Sequence, residues 1–373
     1  MGKENMQDAK EAKQDEFYTQ FKDIENEINA YLDRNDDVFR DKVLLLPCDD
    51  PNWSSFTRYF AKNFKRLGLR KLISTSYAPN SKPKNIPYQP ALFETGSPFF
   101  DEEKTYSRGK IFTLTGDLNL DQQINEEDLD WSYLEGDGDF RSAEVIALRD
   151  EADIIITNPP FSLFREYLAW VIESGCLFSL IANKSCISYK EVFPLIRSNQ
   201  MWPGSTPMGK DLLFKVPPPI AERLVREGKE GSKWKRVDGE VMGRSASVWF
   251  TNIEHSRRHE PIPLMTQEEN LKHSRHAEIR GVGYKKYDNY DAIEVPFTDA
   301  IPSDYPGVMG VPISFLGRYS PEQFEILGMA ASSYDSYIVG IPFKGEKDGR
   351  PLVEGRNTFA RVFIKHKGQT HEN

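Results

Sequence analysis

Cysteine is scarce in this protein: three in 373 residues, at positions 48, 176 and 186. Their spacing fits neither a metal set nor an even disulfide framework. That excludes a stapled secreted scaffold and points to a reducing, cytoplasmic setting. No uninterrupted apolar run approaches the roughly 20 residues of a membrane-spanning helix. The polar opening, Met1-Gly-Lys-Glu-Asn-Met-Gln-Asp8, is unlike a secretory signal. A basic excess is missing as well, since the formal net charge is −9. The deficit is uneven, however. Residues 1–200 carry 24 Lys and Arg against 34 Asp and Glu, whereas the remainder is almost balanced. Phosphate contacts need a local basic face and not a basic average, so the net charge does not exclude a polyanionic partner.

What the sequence does have is apolar and aromatic mass. At 39% hydrophobic residues, with 23 Phe and 16 Tyr, it can bury a sizeable core, and its length suits one large domain with a smaller companion. Its most informative stretch is Asp153-Ile-Ile-Ile-Thr-Asn-Pro-Pro-Phe161. The β-branched run Ile154–Thr157 reads as a buried central strand. The strand must stop at Asn158, because neither Pro159 nor Pro160 has an N–H to continue a ladder. From Ser162 a helical pattern follows, with Leu163, Phe164, Tyr167, Leu168, Val171 and Ile172 on one face. Asn-Pro-Pro-Phe therefore sits just past the carboxyl end of a strand, where open α/β sheets place their ligands.

These four residues suit methyl transfer to a planar amino nitrogen whose lone pair is delocalised into a ring. The amide carbonyl of the Asn158 side group and the Pro159 backbone carbonyl can accept its two hydrogens, Pro160 stiffens the loop, and Phe161 can stack on a base taken out of its duplex. Read structurally, the same residues are a Pro-Pro turn capping an ordinary strand.

With five further stretches, the motif resembles the EcoRI modification methylase family of adenine-specific DNA methyltransferases. The matching segments are Asp15-Glu-Phe-Tyr-Thr19, Pro47-Cys-Asp-Asp-Pro51, Gly138-Asp-Phe-Arg-Ser142, Asn158-Pro-Pro-Phe161, Trp249-Phe-Thr-Asn252 and the run Tyr287–Glu325. The resemblance implies S-adenosylmethionine as donor and duplex DNA as substrate. It places Phe17, Tyr18 and Thr19 over the methionine end of the donor. Asp139 would accept from the donor's adenine amino group, with Phe140 packing on that ring. The motif order, donor half before catalytic loop, is the γ arrangement, with target recognition on the C-terminal side.

Other candidate residues come from their place in the pattern. Lys42–Pro47 reads as a first strand, and the loop after it carries Cys48, Asp49 and Asp50; the two carboxylates suit the donor's amino group or ribose hydroxyls. The glycine-rich turn usual at this point is absent. Leu72–Thr75 reads as a second strand, with Ser76 and Tyr77 where an acidic ribose-binding residue often stands; Tyr77 can border the adenine. Asp117, Asn119, Asp121 and Asp128 fall at positions 1, 3, 5 and 12 of a calcium loop. With Gln122 at position 6 and Asp at position 12, the stretch reads as a solvated acidic insertion, and no metal is expected. His255 and His259 are expected on a polar surface. Lys233, Lys235, Arg236, Arg257, Arg258, Lys285 and Lys286 are candidate phosphate contacts, against a reading as ordinary solvated charge. Lys285-Lys-Tyr-Asp-Asn-Tyr-Asp291 also offers aromatic and amide groups for base edges.

The expected fold is a doubly wound, mostly parallel, Rossmann-like α/β sheet over residues 15–258, after a polar tail at 1–14. A smaller α+β target-recognition region follows at 259–373. The expected protein is a monomer, with a cognate restriction endonuclease as a functional but not physical partner. Two alternatives remain at this point: an amino-methyltransferase for cytosine N4, an rRNA amine or a protein glutamine, and a non-catalytic nucleic-acid-binding module.

Overall fold

A computed structural model describes residues 21–47, 49, 55–78, 100–117, 124, 128–216, 218–330, 341, 343 and 349–368. The protein divides into two compact units, one of residues 1–184 and 210–254, the other of residues 185–209 and 255–373.

The first unit is built on a large central sheet. Its strands are β1 (Val43–Leu46), β2 (Lys71–Ser76), β3 (Lys110–Leu114), β4 (Asp130–Tyr133), β5 (Ile154–Thr157), β6 (Leu177–Asn183) and β7 (Ser247–Thr251), in the order β4-β3-β2-β1-β5-β6-β7. The central strands β2, β1, β5 and β6 are parallel, with β3 and β4 antiparallel at one edge and β7 antiparallel on the other side. The architecture is thus mixed α/β with a mostly parallel core. β1 (Val-Leu-Leu-Leu) and β5 (Ile-Ile-Ile-Thr) are buried at every residue, as strands covered on both faces must be. The cover is visible in β7, whose neighbouring residues point to opposite faces. Trp249 meets Phe56 of helix α2 (Ser55–Lys62) at 5.8 Å between ring centroids, whereas Phe250 meets Phe164 of α4 (Phe164–Ser174) at 6.1 Å.

Helix α1 (Phe21–Leu32) shares the face of α2. Ile24, Ile28 and Tyr31, spaced by four and three residues on one helix face, are fully buried, whereas Phe21 is 38% exposed. Glu27 is also completely buried. It accepts a 2.9 Å hydrogen bond from Tyr31, whose hydroxyl also lies 2.7 Å from the Ser179 hydroxyl of β6. Burial beside this carboxylate pushes the Tyr31 phenol well above its ordinary pKa, so it remains a donor. The Trp-Phe-Thr-Asn motif is a fastening for β6. The Asn252 amide accepts from Phe178 N–H at 2.6 Å and donates to Cys176 C=O at 3.1 Å, and the Thr251 hydroxyl donates to Phe178 C=O at 2.6 Å.

A small antiparallel sheet, Leu212–Lys215, Glu240–Ser245 and Trp234–Val237, is inserted between β6 and β7. Asp211 ties it to the end of β6 by ion pairs to Lys184 (2.6 Å) and Arg244 (2.7 Å). The acidic stretch expected to be solvated departs from that reading: Asp128 is 1% exposed and Ile124 packs against the core, while Asn119 and Asp121 lie outside the described residues.

The second unit holds a four-stranded sheet in the order Ile293–Glu294, Met309–Pro312, Arg361–His366, Phe324–Ala330. Gly310 of the Gly307-Val-Met-Gly310 motif lies under Tyr287, whose hydroxyl would collide with any added Cβ. His255, expected at the surface, is 2% exposed, with its ring nitrogen 3.1 Å from Pro203 C=O.

One close approach fixes the loop before α3 (Ala143–Glu151) against the carboxyl end of β2. Gly138 has φ +85°, and a Cβ there would collide with Ser76 C=O. Gly138→Ala should destabilise the protein by roughly 2–4 kcal/mol. Gly116→Ala, which meets nothing within 4 Å, should be close to neutral. Urea denaturation of both variants checks this.

Candidate active site

Asn-Pro-Pro-Phe lies where the sequence predicts, at the carboxyl end of β5, between the parallel neighbours β1 and β6. The prolines end the ladder, and Phe161–Leu163 form a single 3-10 turn before α4 begins at Phe164. Asn158 is 5% exposed and Pro159 is buried; Pro160 and Phe161 are half-buried, with Phe161 against the core.

The residue before the motif sets its position. The Thr157 hydroxyl lies 2.7 Å from Pro47 C=O and 2.6 Å from the Asp49 carboxylate, so this one hydroxyl joins the ends of β5 and β1. Asp49 is itself pinned from the next layer. Its backbone C=O accepts from the Thr57 hydroxyl of α2 at 3.0 Å and from the Ser74 hydroxyl of β2, and those hydroxyls lie 2.9 Å apart. The Asp49 carboxylate thus faces β5 at 5% exposure. Sequence reasoning treated Thr157 as the last residue of an apolar run and missed this role; its one signal was a hydroxyl closing a run of isoleucines.

The loop Gly136-Asp-Gly-Asp139 crosses the end of β2 beside this junction. Ala78 N–H donates to Asp137 C=O at 2.7 Å, Gly109 N–H donates to Gly136 C=O at 2.9 Å, and the Gly109 and Gly138 backbones are too close for a Cβ at either. Half-buried Tyr77 and the carboxylates of Asp137 and Asp139 are therefore gathered at the carboxyl end of β2. The acidic group that the strand itself lacks comes from a neighbouring loop, which sequence spacing could not reveal.

Two motif residues have partners within the protein. The Phe140 ring, expected to lie against the donor adenine, is 3% exposed and sits in an aromatic cluster with Tyr167 (5.0 Å) and Trp170 (5.7 Å) of α4. The reason is that α4 offers it an apolar face to bury against. The Asp139 carboxylate is held by Arg141, whose guanidinium reaches both carboxylate oxygens, at 2.9 and 2.7 Å. This pairing keeps the Asp139 carboxyl below its ordinary pKa. Arg141 also pairs with Glu166 of α4 at 3.1 Å and lies over the Phe140 ring at 5.3 Å. It therefore links the loop at β2 to the helix that follows Asn-Pro-Pro-Phe. Phe17, Tyr18, Thr19, Cys48 and Asp50 lie outside the described residues.

The basic candidates divide by exposure. In the first unit Lys233, Lys235 and Arg236 are exposed on and beside the hairpin Trp234–Ser245, with Lys233 loosely paired to Glu227 (3.4 Å) and Arg236 resting over Trp234. In the second unit Lys286 is exposed and Lys285 pairs with Glu354 at 2.8 Å. Arg257 is half-buried on Ser205 C=O. Arg258 is 8% exposed, stacked 3.7 Å over Trp202 and bonded to Asn199 at 2.8 Å; that burial withdraws it from a phosphate-contacting role. The Tyr287–Tyr290 stretch, expected to offer groups to base edges, turns Tyr287, Asn289 and Tyr290 inward.

Comparison with known proteins decides the family. The model of the adenine-specific methyltransferase EcoRI family matches residues 5–367. The chain belongs to the EcoRI family of adenine-specific methyltransferases. It is 37% identical over 360 residues to the type II methyltransferase M.EcoRI of Escherichia coli, covering 96% of this chain and 95% of that protein. It is 30% identical to the type II methyltransferase M.MpnI of Mycoplasma pneumoniae (96% and 97% covered) and 29% identical to M.MgeORF184P of Mycoplasma genitalium (96% and 97%). No solved structure matches the protein. Among the described residues, no helix is long and apolar enough to cross a membrane.

Thr157→Val keeps the shape and removes the hydroxyl shared by Pro47 and Asp49. It should cost about 1–3 kcal/mol of stability, with Thr157→Ser near wild type, as read from paired thermal and urea unfolding curves.

Proposed function

We propose that this site-specific DNA methyltransferase moves the methyl group of S-adenosylmethionine to N6 of an adenine flipped out of duplex DNA. The observation that supports this reading best is Asn158-Pro-Pro-Phe161 at the carboxyl end of β5, fastened through Thr157 to the loop after β1. The surroundings fit the donor. Asp137 and Asp139 with Tyr77 at the end of β2 offer acceptors and an aromatic edge for a ribose and an adenine, and the Gly109–Gly138 approach keeps the backbone there free of bulky substituents. Asp49, whose carboxylate is 5% exposed beside Thr157, would bring negative charge toward a cationic ligand. Phe17, Tyr18, Thr19, Cys48 and Asp50 complete the proposed donor site by resemblance to the family. Phe140 acts in it by holding the loop and not by stacking.

Bound there, S-adenosylmethionine supplies a methyl group made electrophilic by its sulfonium. The protein's own part is to prepare the acceptor. The Asn158 amide oxygen and Pro159 C=O accept the two N6 hydrogens, which draws the nitrogen out of conjugation and orients its lone pair. Pro160 limits loop motion, and Phe161 stacks on the flipped base. The buried setting of Asn158 strengthens those hydrogen bonds by keeping water out. The second unit supplies target recognition in this reading, and the exposed cations Lys233, Lys235, Arg236 and Lys286 contact phosphates.

Tritium transfer from labelled S-adenosylmethionine to unmethylated genomic DNA, with nucleoside digestion of the product, tests the chemistry. Label should appear in N6-methyladenine and fall by at least about a thousandfold with Asn158→Ala. Label confined to RNA or protein would remove DNA as the substrate. For the phosphate contacts, the double variant Lys235→Ala/Arg236→Ala should weaken binding alike for all DNA sequences. It should also reduce the slope of log K against log salt by about two, as measured by fluorescence anisotropy over a salt series.

A further inference from the structure

In the second unit a short hairpin, Leu352–Val353 paired with Arg356–Asn357, turns through Glu354 (φ 52°) and Gly355 (φ 74°). This two-residue turn with both residues left-handed matches the twist of the strands it joins. The segment 286–291 clamps it from behind. Asp288 N–H donates to Leu352 C=O (2.8 Å), the Asn289 amide accepts from Leu352 N–H (2.9 Å) and donates to Arg350 C=O (2.8 Å), and Tyr290 donates to Gly349 C=O (2.6 Å). Gly355 N–H donates to the Asp288 carboxylate at 2.8 Å, and Lys285 pairs with Glu354 at 2.8 Å. Asn289 and Tyr290, which looked like base readers, are thus the mount for something else.

The mount holds Phe359. Its ring is 86% exposed, far more than any other large apolar residue among those described, although the backbone on each side is fixed. Thr358 N–H donates to Pro351 C=O at 2.8 Å, and Arg361 buries its guanidinium against Glu294 at 2.5 Å. A single exposed apolar residue is ordinary on a protein surface. Here, however, the ring stands on a segment clamped at both sides and follows directly on exposed Arg356 and Asn357. The only acidic residue of the hairpin, Glu354, is taken up by Lys285. A rigid aromatic projection beside a cation and an amide matches the stacked bases and phosphates of duplex DNA.

We propose that Phe359 is a wedge that enters the base stack of the target duplex, with Arg356 contacting the adjoining phosphates. The proposal rests on the reading that the second unit contacts DNA. Insertion between base steps opens and kinks a duplex, and it would occupy stacking space while the target adenine is out of the helix.

The test uses full-length enzyme and a duplex carrying the sequence that the wild type methylates in genomic DNA. Wild-type transfer to that duplex is the control that separates failure of the methyltransferase reading from failure of the wedge. Phe359→Ala should leave thermal unfolding and donor affinity unchanged, because the ring supports nothing in the fold. It should lower kcat/KM on matched duplex by about tenfold or more. Phe359→Trp should retain activity. Replacing the thymine opposite the target adenine by an abasic residue should restore much of the activity of Phe359→Ala, since the base is then already unpaired. Arg356→Ala should raise KM for DNA and leave kcat in place. Equal activity of Phe359→Ala and wild type on matched duplex would overturn the proposal, as would a loss the same on matched and abasic duplexes.

Discussion

The arrangement around Asn-Pro-Pro-Phe depends on a strand that is made to stop. β5 is a buried parallel strand whose ladder would extend further if hydrogen-bonding groups were available, and Pro159 and Pro160 deny it donors. The Asn158 amide and the Pro159 backbone carbonyl stand just past its end. Stopping the ladder does not by itself fix where they point. That is done one residue earlier, where the Thr157 hydroxyl reaches Pro47 and Asp49, and one layer back, where Thr57 and Ser74 hold the Asp49 backbone. A change in this small hydroxyl set would shift the loops after β5 and β1 together, because Thr157 and Asp49 join them.

The same economy appears at the second junction. Arg141 reaches Asp139 in the loop over β2 and Glu166 on the helix after Asn-Pro-Pro-Phe. Its pairs are partly exposed, so each contributes little to stability. Their value is geometric: the fork of the guanidinium orients the Asp139 carboxylate and ties that orientation to α4. Phe140 completes the tie from below by entering the aromatic cluster of α4. The loop that would meet the donor and the helix that would carry the acceptor loop therefore form one packed body, consistent with a reaction that needs two ligands aligned.

Much of this was legible in the residues. Periodicity marked the apolar runs of β1, β2 and β5 and the buried face of α4, and the adjacent prolines marked the end of β5. The parts that were not legible share one cause: contacts between segments distant in sequence. Gly138 reads as a turn glycine, but its need comes from Ser76. The acidic group at β2 arrives from another loop. Glu27, a charge on a helix, is buried because Tyr31 and Ser179 happen to meet there. Arg258 and Asn289 have the composition of nucleic-acid contacts, but the surrounding fold supplies partners that turn them inward. Residue type gives a capacity for contact, and only packing decides which partner takes it.

That distinction also resolves the charge of −9. The acidic residues that matter to the fold are largely neutralised locally: Asp211 by Lys184 and Arg244, Asp139 by Arg141, Glu294 by Arg361, Glu354 by Lys285. Paired carboxylates project little field beyond a Debye length of about 8 Å at physiological salt. The cations that remain exposed at Lys235, Arg236, Lys286 and Arg356 would act on a phosphate only at contact distance, where the sign of the nearest group outweighs the sign of the total. An acidic average is then compatible with a polyanionic substrate. It carries the further consequence that nonspecific attraction is weak, leaving discrimination among sites to the short-range contacts that a rigidly mounted residue can make.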